Sequence, residues 1–316
     1  MSNLERRPAE QTCEGHRAGE VSPAAQQLEP RDVPLGGTRA MSVRRTLPHK
    51  RIRTVGAWCF VDHFGPDDVT MSVPPHPHTG LQAVSWLFAG EVEHRDSLGS
   101  WQRARAGELN LMTAGHGIAH SEYSVGEGPL HGAQLWVALT DEVRDRAPAF
   151  AHHADLPVVE DGGMRAVVIV GEFAEAVSPA AVYSPLVGAQ IEVTEDVVVP
   201  VEPDFEYAVL AVDADVTVAG EPVPRGALQY LGWGRDHVGL RAESGTRVLL
   251  LGGEPLAEDL LMWWNFVGRT HDEIVRAREE WEAGSDRFGV VAGDPNPRLP
   301  APGLPTVVLK PRPSRR

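Results

Sequence analysis

The sequence predicts an all-β fold: two copies of one antiparallel β-barrel or sandwich domain, then a short C-terminal helix and an extended tail. Three observations carry this. Short apolar, β-favouring runs recur from 41 to 251, with glycines at the turns between them. The chain holds 32 glycines and 26 prolines, which favours many turns over long helices. The turn-then-strand pattern of 107–112 returns at 226–231, and 83–87 resembles 206–210, as two copies of one unit would.

Taken in order, residues 1–36 are polar and follow neither period 2 nor period 3.6, so a disordered extension is expected. Weak alternation over 41–47 and the apolar run 55–64 read as strands. So do 81–93, turned at Gly90, then 109–112 and 132–140 with Trp136 in its middle. These make a first domain of 37–150. Residues 147–163 carry two prolines and read as the connection. His152 and His153 are adjacent there and face opposite ways on a strand, so both are expected to be exposed and unliganded. A second domain of 151–260 has strands expected at 165–171, 197–201, 207–212, 216–218, 227–231 and 247–251.

In the remainder, 261–316, the stretch Met262-Trp263-Trp264-Asn265-Phe266-Val267 is expected to pack between domains. Thr270 and Glu273 form a capping box, and Ile274, Ala277, Arg278 and Trp281 follow at helical spacing, which predicts a helix over 271–283. Seven prolines in 295–313 predict a tail without regular structure, with a basic, solvated end at Lys310, Arg312, Arg315 and Arg316.

Composition narrows the function. A net charge of −15 repels phosphate backbones and argues against direct nucleic-acid binding. No apolar stretch approaches a membrane span and the N-terminus lacks a signal-peptide core. Cys13 falls in the expected extension and Cys59 in a strand, so no disulfide framework is expected. A monomer in the cytoplasm fits these features.

The chemistry gathers between His76 and Glu122. His76 and His78, and then His120 and Glu122, each stand at i, i+2 and so share a strand face. The 42 positions from His78 to His120 suit a few hairpins that bring both pairs to one point. Three imidazoles and a carboxylate would hold a divalent first-row metal with positions left open for substrate or O₂. A lone pair of this kind is usually a surface feature. Here seven of 13 histidines fall within 63–131, where an even spread would put about three. The internal echo puts Val199 and Val201 in the places of His76 and His78, and Gly239 and Arg241 in those of His120 and Glu122. None of these ligates a metal, so one ion per chain is expected.

Three motifs then match something known. His76-Pro77-His78-Thr79-Gly80, Thr113-Ala114-Gly115-His116-Gly117-Ile118-Ala119-His120-Ser121-Glu122 and His131-Gly132-Ala133-Gln134-Leu135-Trp136-Val137 resemble the pirin family of the cupin superfamily. The similarity runs from about 43 to 288, with Asp62 and 263–267 included. It implies a bicupin, two antiparallel β-barrel (cupin) domains face to face. The first would hold one metal, usually iron, through His76, His78, His120 and Glu122. Fe(II) is the ion expected, although Mn, Co, Ni, Cu and Zn accept the same donors. Several members show quercetinase activity, opening flavonols with O₂; others are described as regulators acting through protein partners. Cupins often place a carboxylate four residues after the first pair, and here that place is Gln82.

On this resemblance Glu122 is the catalytic candidate, taking the 3-hydroxyl proton of a flavonol. Phe60, Leu111 and Met112 are candidate walls for a planar substrate or else core residues. His63 and His94 could orient ligands or lie at the surface, and His116 could line a pocket mouth or face solvent. The rival readings are a non-catalytic, redox-responsive regulator with a protein partner, and a metal hydrolase or isomerase that needs no O₂.

Overall fold

The computed structural model describes residues 5, 8, 11–13, 22–35, 41–68 and 70–305. It is all-β, with the C-terminal helix as the single helix among the described residues. Each domain is a pair of antiparallel sheets packed face to face, as expected for a cupin. In the first domain the large sheet runs Ala149–His153, Leu109–Thr113, Leu81–Ala89, Leu130–Ala138, Trp58–Asp67, Met41–Leu47, Arg31–Leu35. The small sheet runs Ser72–His78, Ile118–Val125, Glu91–Asp96, Trp101–Arg105.

The second domain repeats this order. Leu228–Gly232, Glu206–Ala211, Thr246–Gly253, Leu186–Val193 and Met164–Phe173 are neighbours in its large sheet, and Val197–Pro200, His237–Arg241, Val216–Val218 and Glu221–Val223 in its small one. The echo in the sequence is therefore a repeated fold. The residue matching drawn from it was off by one or two positions. Val197 pairs with Leu240 and Val199 with Val238, where the first domain pairs His76 with His120 and His78 with Ile118. So Val197, Val199 and Leu240 take the places of His76, His78 and His120. All three lie in an apolar cluster with Val209, Val238 and Leu250.

Period-2 alternation explains where the domains meet. Along Leu81–Ala89, Ala83, Ser85 and Leu87 alternate with Val84, Trp86 and Phe88. The second set packs with Trp58, Leu135, Leu210, Leu249 and Leu251 in one core shared by both domains. Sheets buried on both faces read as nearly continuous apolar runs, as 81–88 and 207–212 do. The Trp58 indole donates to the carbonyls of Gly252 (3.1 Å) and Val187 (3.2 Å). Gly56, at φ +52°, lets the two backbones touch: a Cβ there would sit 2.7 Å from Gly253 Cα.

The expected disordered extension is corrected. Gln11–Cys13 pairs with Leu260–Trp263, Gln26–Leu28 pairs with Leu228–Gly232, and Arg31–Leu35 pairs with Met41–Leu47. Short edge strands held by backbone bonds to distant partners need no apolar pattern of their own, which is why composition missed them. Most of 1–21 and all of 36–40 lie outside the described residues. Further along, the connection holds Ala149–His153, which belongs to the first domain, and Val158–Asp161, which belongs to the second. Leu186–Val193 and His237–Arg241 are strands beyond those expected.

The aromatic stretch forms the strands Leu260–Trp263 and Phe266–Gly268. It packs on the first domain and the helix rather than between domains, with Trp263, Trp264 and Phe266 against Ala119, Ile274, Trp281 and Phe288. The helix is His271–Ala283, the range its periodicity predicted. Thr270 caps it, accepting from the Glu273 amide (3.3 Å), while the Glu273 carboxylate turns to Arg269 N (2.9 Å) and Arg144 (2.8 Å). Up to residue 305 the tail has no strand or helix, yet it is anchored: Leu299 N donates to Pro75 O (2.7 Å) and the Trp281 indole to Leu299 O (2.8 Å). Its basic end lies outside the described residues.

Candidate metal centre

His76 and His78 close the strand Ser72–His78, and His120 and Glu122 lie on its antiparallel neighbour. His76 stands opposite His120, and a bulge then brings Val73, rather than His76's period-2 neighbour, opposite Glu122. All four side chains are at most 1% exposed. His76 Nε2 and His78 Nε2 are 3.1 Å apart, and His78 Nε2 and His120 Nε2 3.0 Å. The donor atoms of these three histidines lie within 4.8 Å of one another; a second such set joins His94, His120 and Glu122.

The outer nitrogens show which way the protons point. His76 Nδ1 lies 2.8 Å from Pro74 O, and a carbonyl only accepts, so His76 carries its proton there. The Asn265 backbone hydrogen-bonds the His78 ring. His120 Nδ1 faces His94 Nδ1 at 3.3 Å. Burial above all keeps the rings neutral: it pushes His76 down to about 4 and His78 and His120 well below their ordinary range. The Nε2 atoms of the three rings thus face one point. Three neutral imidazoles gathered at one point, with the Glu122 carboxylate close by, make a donor set that fits a divalent metal.

Around this point, Ser85 Oγ lies 3.0 Å from Glu122 Oε1 and 2.9 Å from Gln134 Oε1, and Gln134 Nε2 donates to Val84 O (3.3 Å). Trp136 meets His78 edge-on at 5.3 Å and stacks on Phe60 at 4.0 Å. Glu122, Ser85, Asn110 and Gln134 line a hollow with Phe64, Met71, Leu87 and Val92. Its free volume is about 10 Å³, room for about one water.

Other expected residues fall elsewhere. Leu111 belongs to the core shared by the domains, and Phe60 and Met112 to a cluster with Cys13, Cys59 and Trp136. Gln82 turns away, donating to Thr113 Oγ1 (2.9 Å) and Ala181 O (3.0 Å). His116 is exposed, beside a surface hollow of about 190 Å³ that also touches Arg276 and Arg287. His152 and His153 are both half-buried, not exposed, and His152 Nδ1 donates to Asn110 Oδ1 (2.8 Å). His63 is buried against His131, Nε2 to Nε2 at 2.9 Å, and belongs to neither donor set. Of the candidate orienting residues, the structure brings only His94 to the centre. Ser85, Gln134 and Asp96 were missed. Asp96 had a signal, since His94 and Asp96 repeat the i, i+2 spacing of the other pairs.

Fold and site together define a two-domain cupin. The family model described as Pirin matches residues 38–137, and that of the Pirin C-terminal cupin domain residues 186–289. A Pseudomonas aeruginosa protein named "Putative quercetin 2,3-dioxygenase" is 45% identical over 287 residues, covering 89% of this chain and 90% of its own length. A "Pirin-like protein" of Caulobacter vibrioides is 38% identical, covering 77% and 88%. The crystal structure of a quercetin 2,3-dioxygenase from Acinetobacter baumannii superposes with a TM-score of 0.87 at 42% identity, covering 90% of this chain and 97% of that one. The chain belongs to the pirin family.

Proposed function

We propose that this chain is a metal-dependent dioxygenase that opens a flavonol such as quercetin with O₂. The observation that carries the reading is the convergence of three buried imidazoles beside a buried carboxylate. The relative named for quercetin dioxygenation, alike over nearly its whole length, supports it. His76, His78, His120 and Glu122 would hold one divalent ion, with Fe(II) proposed. When bound, such an ion supplies a Lewis-acidic centre that holds oxygen donors and eases loss of a hydroxyl proton.

The chain's own part is to move that proton and keep water out. Glu122 accepts the 3-hydroxyl proton of the flavonol. The Ser85 hydroxyl has one proton for two acceptors. While Glu122 is charged, that proton points at Glu122 Oε1. Once Glu122 is protonated it becomes a donor, and the Ser85 hydroxyl can rotate to Gln134 Oε1. Phe64, Met71, Leu87 and Val92 keep the site apolar, where a charge on Glu122 acts strongly.

The hollow beside Glu122 is far smaller than a flavonol, so turnover requires wall side chains to move aside. That closure favours a second reading, a non-catalytic redox-responsive regulator read by a protein partner. Quercetin loss matched by O₂ uptake, in metal-replete protein, tests the first. Absence of turnover across a wide flavonoid panel sinks it and supports the second. Elemental analysis of protein purified without added metal identifies the ion.

A further inference from the structure

We propose that His94 and Asp96 are a positioning pair for His120, fixing the nitrogen it offers to the metal centre and tying that centre to the turn at 96–100. The proposal rests on the metal reading above. Both residues lie on Glu91–Asp96, the strand paired with Ile118–Val125 on the side away from Ser72–His78. Both are only 2% exposed.

The hydrogen bonds run in one direction. The Asp96 carboxylate only accepts, which leaves His94 Nδ1 as an acceptor, so the His120 proton is on Nδ1 and is donated to His94 Nδ1 at 3.3 Å. His94 then carries its proton on Nε2, 3.0 Å from Asp96 Oδ2. The other oxygen, Asp96 Oδ1, accepts from the amides of Leu98 (2.9 Å) and Ser100 (3.0 Å). Turning any member around would leave one gap with two protons or with none. Phe150 stacks on His94 at 4.2 Å, 13° from parallel, and holds the ring in this plane. A carboxylate usually orients a metal-binding histidine directly; here one more imidazole stands between them.

His94 also shares a potential donor set with His120 and Glu122. Yet it approaches His120 through Nδ1, whereas His78 meets His120 at Nε2. One imidazole does not present both nitrogens to one ion, so His94 belongs behind His120 and not beside it.

Co(II) binding to the full chain tests this without substrate. His94→Leu should weaken Co(II) affinity by ~10–100-fold, the usual loss for an outer partner, and shift the visible Co(II) bands while far-UV circular dichroism is kept. His94→Gln, which can accept and donate at once, should recover most of the affinity. X-ray absorption of the unaltered protein should count three imidazoles at Co(II). Unchanged affinity and bands in His94→Leu overturn the proposal, as does a count of four. Should His94→Leu not fold, Asp96→Asn is read by the same criteria, because an amide cannot serve His94 and both loop amides as acceptor. Lack of flavonol turnover with these shifts present sinks only the dioxygenase reading. An unaltered chain that binds no Co(II) overturns both.

Discussion

Ser85 and Glu122 sit on different sheets of the first domain, and the Ser85 hydroxyl reaches Glu122 Oε1 at 3.0 Å across the space between them. The large sheet thus sets the orientation of a carboxylate supplied by the small one. Four predictions follow from this site and its surroundings.

Replacing Glu122 with Gln keeps the size and removes the base and the charge. Metal affinity should fall less than in histidine variants, whereas a flavonol dioxygenase rate should fall by at least ~10²-fold, the low end for a lost general base. Steady-state kinetics at matched metal occupancy decide it, and an unchanged kcat removes Glu122 from the chemistry.

His76→Ala or His120→Ala should remove most of the bound metal and leave the β-fold in place. Apolar clusters in both domains stabilise the fold independently, unlike a small zinc domain that folds only on its ion. Full metal occupancy in both variants, by elemental analysis, would show that the ligand assignment is wrong.

Metal content should be one ion per chain. Val197, Val199 and Leu240 occupy the second domain's counterpart of the site, and aliphatic side chains offer no lone pair. Two ions per chain, with one surviving His76→Ala, would contradict this.

Acid should destabilise the protein through the pair His63 and His131. Burial, with Arg44, Arg225 and Arg247 nearby, pushes His63 down to about 2 and His131 to about 4, although Asp213 pulls His131 upward. Both pKa values lie below the unfolded value of about 6.5, so the unfolded chain takes up protons first as pH falls. The pair should be without effect above that value. Below it, each proton that the unfolded chain takes up ahead of the folded one lowers stability further as pH falls. Urea midpoints from pH 7 to 4.5 should fall less steeply in His131→Gln than in the unaltered chain. Equal slopes would count against the pair.

How much of this was legible follows from what local pattern can encode. His76, His78, His120 and Glu122 were legible because period 2 puts each pair on one face, and the hairpins between them are themselves alternating strands. Trp281, four-residue spacing and a cap made the helix legible. Ser85 and Gln134 were not, because an isolated polar residue in an apolar strand has the same local signature whether it faces a ligand or a turn. His63 and His131 are 68 residues apart, and only register brings them together. The edge strands Gln11–Cys13 and Gln26–Leu28 escaped because their stability resides in partners more than 200 residues away, at 260 and 228.

Those edge strands have a further consequence. Gln26–Leu28 completes the large sheet of the second domain, while Arg31–Leu35, three residues later, completes that of the first. Among the described residues, the chain therefore crosses between domains here, again through 154–157, and again after Thr246–Gly253, where it returns to the first domain at Leu260–Trp263. A protease cut at 155 would leave the halves held by the earlier crossing as well as by the shared core. Conversely, deleting 1–30 would strip Gln26–Leu28 from the second domain's large sheet and Gln11–Cys13 from Leu260–Trp263 on the first domain. Residues 26–35 behave as a clasp that joins the large sheet of one domain to that of the other.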